Sequence, residues 1–361
     1  MGGKTLAEKI LSEKSGTDAR AGDIVIAKVD VIFVQDGTGP LAVRQFEAAG
    51  FEHLANPGRT ILFLDHAAPS PSRELSNDHI TLRRFATRTG AQLSEIGEGV
   101  CHQLIAESYA NPGEVIIGAD SHTVMAGAVG SLATGMGSTD IAVALSLGKT
   151  WFRVPETFKI IVSGRFSKGV FAKDLILHLI STIGADGASY KALEFSGDTI
   201  DNMPMSERLT LANMAVEAGA KVGLLSPDEI TRGYLEAQGR GASFRPLNPD
   251  PDAVYERVIE IDAPALEPIV SKPHTVDNTS LAKELDSIEI QQVFIGTCTN
   301  GRLDDLEVAA RILEGRVRHP TTRLIVAPAS KKVLMEAIEA GYIQILVEAG
   351  QRLCLQAALL A

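Results

Sequence analysis

Apolar positions along this chain follow two rhythms. TLAEKILSEKSG (5–16) spaces its apolar residues three and four apart and stops at Ser-Gly, which predicts a short amphipathic helix. GDIVIAKVDVIFVQDG (22–37) is β-branched and partly alternating and predicts one or two strands. TILFLDH (60–66) is a continuous apolar run ending on an acid and a histidine. A polar helical stretch follows over about 77–89, and EVIIGADSH (114–122) repeats the strand-then-Asp-then-His design. Continuous apolar strands belong to buried parallel sheets, and α/β proteins place ligands beyond the carboxyl ends of such strands. Two strand ends carrying Asp and His therefore point to one shared pocket. The Gly- and Ala-rich stretch from Gly127 to Trp151 turns helical toward its end and carries neither of the common phosphate-loop spacings.

A second unit begins after Pro155. FKIIVSG predicts a strand, AKDLILHLISTIG a helix with Asp174 in its first turn, and Ser206–Ala220 a helix capped by Ser206. Residues 239–252 read as an exposed loop. A third unit starts near Gln291: QQVFIGTCTNGR, DLEVAARILEG, TRLIVAPAS and KKVLMEAIEAG alternate strand and helix. The fold class is therefore α/β, parallel throughout, with units over 1–155, 156–290 and 291–361.

Composition narrows the function. Of 361 residues 45% are hydrophobic, enough for a sizeable core, and 34 Lys and Arg against 45 Asp and Glu give a formal charge of -11. Nucleic acid and anionic membranes are poor partners for such a chain. The apolar runs fall short of the roughly 20 residues a membrane span needs. Three cysteines, Cys101, Cys298 and Cys354, are too scattered for a disulfide framework, so a cytoplasmic protein with reduced thiols is expected.

His66, His102 and His122 each lie near an acid in apolar surroundings. A carboxylate bonded to an imidazole fixes its tautomer and raises its basicity, the design of acid/base pairs and of supported metal ligands. Asn213 and Glu217, four apart, would share one helix face. Cys298 follows an apolar strand and precedes a helix, where backbone donors favour a thiolate. From residues alone it reads as nucleophile, metal ligand or inert thiol, and a divalent-metal hydrolase built on the three histidines fits those residues but leaves FIGTCTNGR unused.

VQDGTGPLAVRQF, LDHAAP, GVCHQLIAESY, GEVIIGADSHT, GMGSTD, PETFKIIVSG, LANMAVEAGA and FIGTCTNGRLDD occur in the order found in the aconitase superfamily. The chain resembles that family over about residues 3–345, and within it the large subunits of the isopropylmalate, homoaconitate and dimethylmalate dehydratases. The resemblance implies three α/β units and a hydro-lyase that isomerises a 2-hydroxy diacid through an alkene diacid, in leucine biosynthesis for the isopropylmalate type. It implies a [4Fe-4S] cluster with one open iron, and a separate small subunit carrying the swivelling domain. It matches Asp65 and His66 to the acid/base pair at the leaving hydroxyl, and His102 with Asp120 and His122 with Glu217 to the pairs that orient bound water. Ser121 and Asn213 match positions near substrate and cluster, with Asn300 and Arg302 on the substrate side, and Cys298 matches the first cluster ligand.

Two departures stand out. Pro40 occupies the position of a substrate-binding glutamine in the mitochondrial aconitases. Family members continue with a Cys-x-x-Cys motif supplying two further ligands, whereas this chain ends VEAGQRLCLQAALLA. Reading the codons from Gly350 onward two bases later permits the family's approach to that motif. The expectation is a truncated third unit, a cluster incomplete or absent, and Cys354 as a bystander.

Overall fold

The computed structural model describes residues 2–285 and 287–354. Its first sheet has five parallel strands in the order Gln92–Ser94, Thr60–Phe63, Val31–Gln35, Val115–Gly118, Leu132–Gly135. The three middle strands are buried along their whole length, as their unbroken apolar runs require. Helices Gly39–Ala48, Arg73–Thr89 and Cys101–Ser108 connect strands of this sheet, and Ser138–Leu147 follows its last strand. The long polar helix starts where the Ser72 hydroxyl accepts from the Leu75 amide at 3.2 Å and stops at Gly90, whose φ of 77° suits glycine.

Parallel pairing is not universal. Ile24–Lys28 and Lys149–Arg153 form a separate antiparallel ribbon, and Ile269–Ser271 pairs antiparallel with Thr279–Leu281. The alternating exposure of the ribbon's strands explains this, because a strand with one wet face needs no helix over it.

The second sheet is parallel, in the order Val222–Leu225, Ala192–Ser196, Thr157–Ser163, Arg257–Asp262. Its edge strand Val222–Leu225 packs beside Leu132–Gly135, the edge of the first sheet. Between the two units a 3₁₀ segment, Ser121–Val129, packs on the helix Met205–Met214. A Cβ at Gly127 would meet the Gly223 carbonyl oxygen at 1.8 Å, so only glycine permits this approach. Phe33, Met125, Ile160 and Leu211 join one core across both units. The single helix expected over 206–220 is instead α-helical to Met214 and 3₁₀ over Ala215–Ala218, ending at Gly219. Pro204 rather than Ser206 occupies the N-cap, and the Ser206 hydroxyl bonds Asp304.

The third sheet orders Gln292–Ile295, Arg323–Val326 and Arg352–Leu353 in parallel, with helices Leu303–Leu313, Lys331–Glu339 and Tyr342–Glu348 around a small core of its own. A seam fastens this unit to the first. The Val100 amide donates to the Ala329 carbonyl and the Lys331 amide to that of Glu98, both at 2.9 Å, and the Ser330 hydroxyl donates to Glu107 at 2.8 Å. Of the divergent ending, Arg352 and Leu353 form the third strand, and residues 355–361 lie outside the described residues. Among the described residues no helix is long and apolar enough to cross a membrane.

Candidate active site

The strand Val115–Gly118 ends at a turn that exposes Asp120 to three histidines. Asp120 caps the following 3₁₀ segment, accepting from the His122 amide at 2.9 Å. Its two carboxylate oxygens reach His102 Nε2 at 2.9 Å and His66 Nε2 at 3.2 Å, and Gln35 Nε2 adds a contact at 3.3 Å. His66 is held from its other side by Asp65, with Nδ1 3.0 Å from Oδ1. Asp65 Oδ2 in turn accepts from the Cys101 amide at 2.7 Å, at the start of the helix that carries His102. His122 Nε2 lies 3.3 Å from Glu217 Oε1, and Ser121 stands exposed beside it.

The electrostatics follow from this geometry. Burial by itself would lower the His66 pKa, but Asp120 and Asp65 outweigh it and raise it to about 10. Burial would raise Asp120, yet His102 and His66 hold it well below the usual carboxylate range. The His122 hydrogen bond lowers Glu217. At neutral pH the site therefore joins an anionic Asp120 to a protonated His66.

Cys298 enters from the third unit on a sharp turn after the strand Gln292–Ile295, with Thr297 in the left-handed region at φ 69°. Its thiol is buried; burial and then Asp120 push its pKa up to about 11, with Arg302, Thr299 and Asn213 opposing. Donor atoms of His102, His122 and Cys298 lie within 4.8 Å of one another, and those of Asp65, His66 and Cys101 do likewise. Cys101 is buried and its thiol is driven up chiefly by burial. Cys354 follows the strand Arg352–Leu353, its amide donating to the Val326 carbonyl at 2.8 Å.

Asn213 donates to the Thr299 hydroxyl at 2.9 Å, while its carbonyl oxygen is buried with no partner, as is His102 Nδ1. Buried polar atoms are nearly always paired, so two orphans beside one thiol mark a place for a further group. Asn300 bonds Asp305 at 2.8 Å and receives Lys173 Nζ at 3.3 Å. Arg302 is buried behind the turn: it donates to the Cys298 and Thr299 carbonyls at 2.8 and 2.7 Å and to the Thr210 hydroxyl at 3.2 Å. Its guanidinium braces the loop bearing Cys298.

Asp36 and His79, absent from the sequence-based set, complete the site's support. Asp36 accepts from the amides of His66 and Ala67 at 2.8 and 2.9 Å and pairs with His79 Nε2 at 2.8 Å. The signal for Asp36 is present in the sequence: VIFVQD is a third apolar strand ending on an acid.

Comparison with known proteins matches this chain to the Aconitase family (aconitate hydratase) over residues 8–286 and 278–357. It is 62% identical to the 3-isopropylmalate dehydratase large subunit of Elusimicrobium minutum, over 96% of this chain and 83% of that one. It is 56% identical to 3-isopropylmalate dehydratase large subunit 2 of Archaeoglobus fulgidus, over 96% and 83%. It is 54% identical to large subunit 1 of Thermotoga maritima, over 96% and 84%. The crystal structure of Thermococcus kodakaraensis aconitase X in its holo form shares the fold, with a TM-score of 0.53 at 14% identity, covering 91% of this chain and 78% of that one. On these matches and on the strand-end architecture that carries its acids and histidines, the chain belongs to the aconitase family.

Proposed function

We propose that this chain is the large subunit of a 3-isopropylmalate dehydratase-type hydro-lyase, working in leucine biosynthesis with a small subunit. The observation that carries the reading is Asp120 joining His66 and His102 in a pocket that also receives Cys298. His66, protonated at neutral pH, delivers a proton to the departing hydroxyl, which leaves as water as the carbon–oxygen bond breaks. A base supplied by the small subunit takes the proton of the adjacent carbon, and the double bond forms between the two carbons. Asp120 stabilises the proton on His66 beforehand, and Asp65 fixes the ring. His102 and the His122–Glu217 pair orient the water, and Ser121 and Asn213 stand near the substrate, while Asn300, matched to the substrate side by resemblance, has its side chain on Asp305 and Lys173. Arg302 acts as a positioning residue for the Cys298 loop.

Cys298 would hold one iron of a [4Fe-4S] cluster, with the unpartnered His102 Nδ1 and Asn213 carbonyl beside it. When bound, such a cluster supplies a Lewis-acidic iron that polarises the hydroxyl. The test is anaerobic reconstitution with iron and sulfide, mixing with a small subunit, and an ultraviolet assay of alkene-diacid hydration. Turnover that Cys298→Ala abolishes is expected, and turnover unaffected by that substitution would overturn the assignment.

One observation favours a second reading. Cys101 and Cys354 do not join Cys298 in one set of thiols among the described residues. A chain keeping the acid/base pocket without a complete cluster would give substoichiometric iron and no turnover, whereas four irons per chain would exclude it.

A further inference from the structure

The two unit edges leave a groove between them, a cavity of about 500 Å³ between the strands Leu132–Gly135 and Val222–Leu225. This is within the usual range for small-molecule sites, which favour domain interfaces. Asp120 and Ser121 are among its lining residues, their backbone packed against Gly135, so the groove borders the segment that carries the acid of the cluster. Val124, Met136, Val216 and Trp151 give it apolar walls.

Lys221 sets a charge in this wall. Its ammonium hydrogen-bonds the Gly135 carbonyl at 3.3 Å, and no carboxylate among the described residues forms an ion pair with it. It lies 5.4 Å from the centroid of the Tyr190 ring, and Arg153, which is paired to Glu156 at 3.0 Å, lies 5.5 Å from the same centroid. Asp140, an acid lining the same groove whose charge favours the ammonium, accepts from the Trp151 indole at 3.3 Å. Burial lowers the Lys221 pKa, the cost of keeping an ammonium with a neutral partner. Tyr190 holds a φ of 63°, uncommon for a residue with a side chain and typical of positions where the surroundings fix a functional conformation. Lys221 is thus half-buried with its ammonium on a backbone carbonyl, while the nearby Asp140 carboxylate is taken up by the Trp151 indole and forms no ion pair with it.

We propose that this groove is a binding subsite for a small carboxylate with a branched apolar tail, the carboxylate on Lys221 and the tail between Met136, Val216 and Trp151. The subsite requires neither a cluster nor a partner, so it stands or falls separately from the hydro-lyase reading. The anion supplies the acceptor that Lys221 otherwise finds in a backbone carbonyl, and the Tyr190 ring keeps the ammonium aimed into the groove. The occupant lies against the backbone of Asp120 and Ser121, so binding there would be felt at the acid/base cluster.

The test is calorimetric titration of the chain, without iron or partner, with 4-methylpentanoate, and with 4-methylpentanamide as the uncharged control. Saturable one-to-one binding of the acid is expected, weakened about tenfold by the amide or by Lys221→Gln, because a charge-assisted hydrogen bond is lost. Lys221→Arg keeps the charge and is expected to retain most of the affinity, which separates loss of the cation from loss of fold. Thermal melts of both variants check folding. Absence of saturable binding, equal affinity for acid and amide, or an unchanged affinity in Lys221→Gln would overturn the proposal, whatever the hydro-lyase assay returns.

Discussion

Two aspartate–histidine pairs meet at His66 in this molecule, Asp36 with His79 and Asp120 with His102, and they are finished differently. Around Asp36 every donor is spoken for: the His66 and Ala67 amides and the His79 ring occupy its carboxylate, and the Asp65 amide approaches at 3.4 Å. Around Asp120 the pairing is as close, yet His102 Nδ1 and the neighbouring Asn213 carbonyl are left open. Burial and an acidic neighbour are common to both pairs, so neither feature marks chemistry. The open polar atoms do, because a buried polar atom left unpaired is costly unless something else occupies it.

The comparison makes sharp demands. Asp120→Asn is expected to cut hydration of the alkene diacid about a thousandfold, since it removes the charge that keeps His66 protonated, and steady-state kinetics of the reconstituted two-subunit enzyme would read it. A loss under about tenfold would put Asp120 in the same structural class as Asp36. Asp36→Ala is expected to act on the fold, destabilising the chain by about 3 kcal/mol because it strands buried amides and the His79 ring. Urea denaturation measures this, and a variant as stable as the parent would mean that the Asp36 network carries no weight.

The smallest effect is in the pH dependence. His66 has a folded pKa of about 10 against 6.5 unfolded, so its contribution to stability is fully present below about pH 6.5 and fades as pH rises through about 10. Asp120 is depressed, so its contribution is present above its ordinary 3.8 and is lost only as pH falls through its lower folded value. Stability followed from pH 7 to 10 should fall in the parent and fall less in His66→Gln. Equal slopes would remove His66 from the acid/base assignment.

The chain's own letters showed where the strands end and which acids and histidines they deliver, because apolar runs and their terminators are local. Asp65, His66, Asp120 and His122 were legible on that ground, and Cys298 on its strand–turn–helix context. The Asp36–His79 pair was not, since His79 sits 43 residues away on a polar helix with nothing beside it to name its partner. Glu217 lies on a 3₁₀ turn rather than on the same helix as Asn213, because Gly219 tightens the exit. Arg302, matched by resemblance to the substrate side, spends its guanidinium on the Cys298 and Thr299 carbonyls. Backbone acceptors of that kind leave no trace in side-chain letters. The antiparallel ribbon was hidden for a different reason: IVIAK and VIFVQ look alike as apolar runs, and only their burial separates them.

The seam joining Val100 and Glu107 to Ala329 and Ser330 bears on the order of assembly. Glu107 and Ser330 are 223 residues apart in the chain, yet their bond seats the helix whose first turn holds Cys101 and His102. During synthesis that helix emerges long before its fastening does. The first two sheets can close on their shared core while the His102 helix still lacks its outer support, and contacts of such long sequence separation form late because the loop must close first. A chain ending before the third sheet would carry every acid and histidine of the cluster yet lack the Ser330 and Ala329 contacts that fasten the His102 helix.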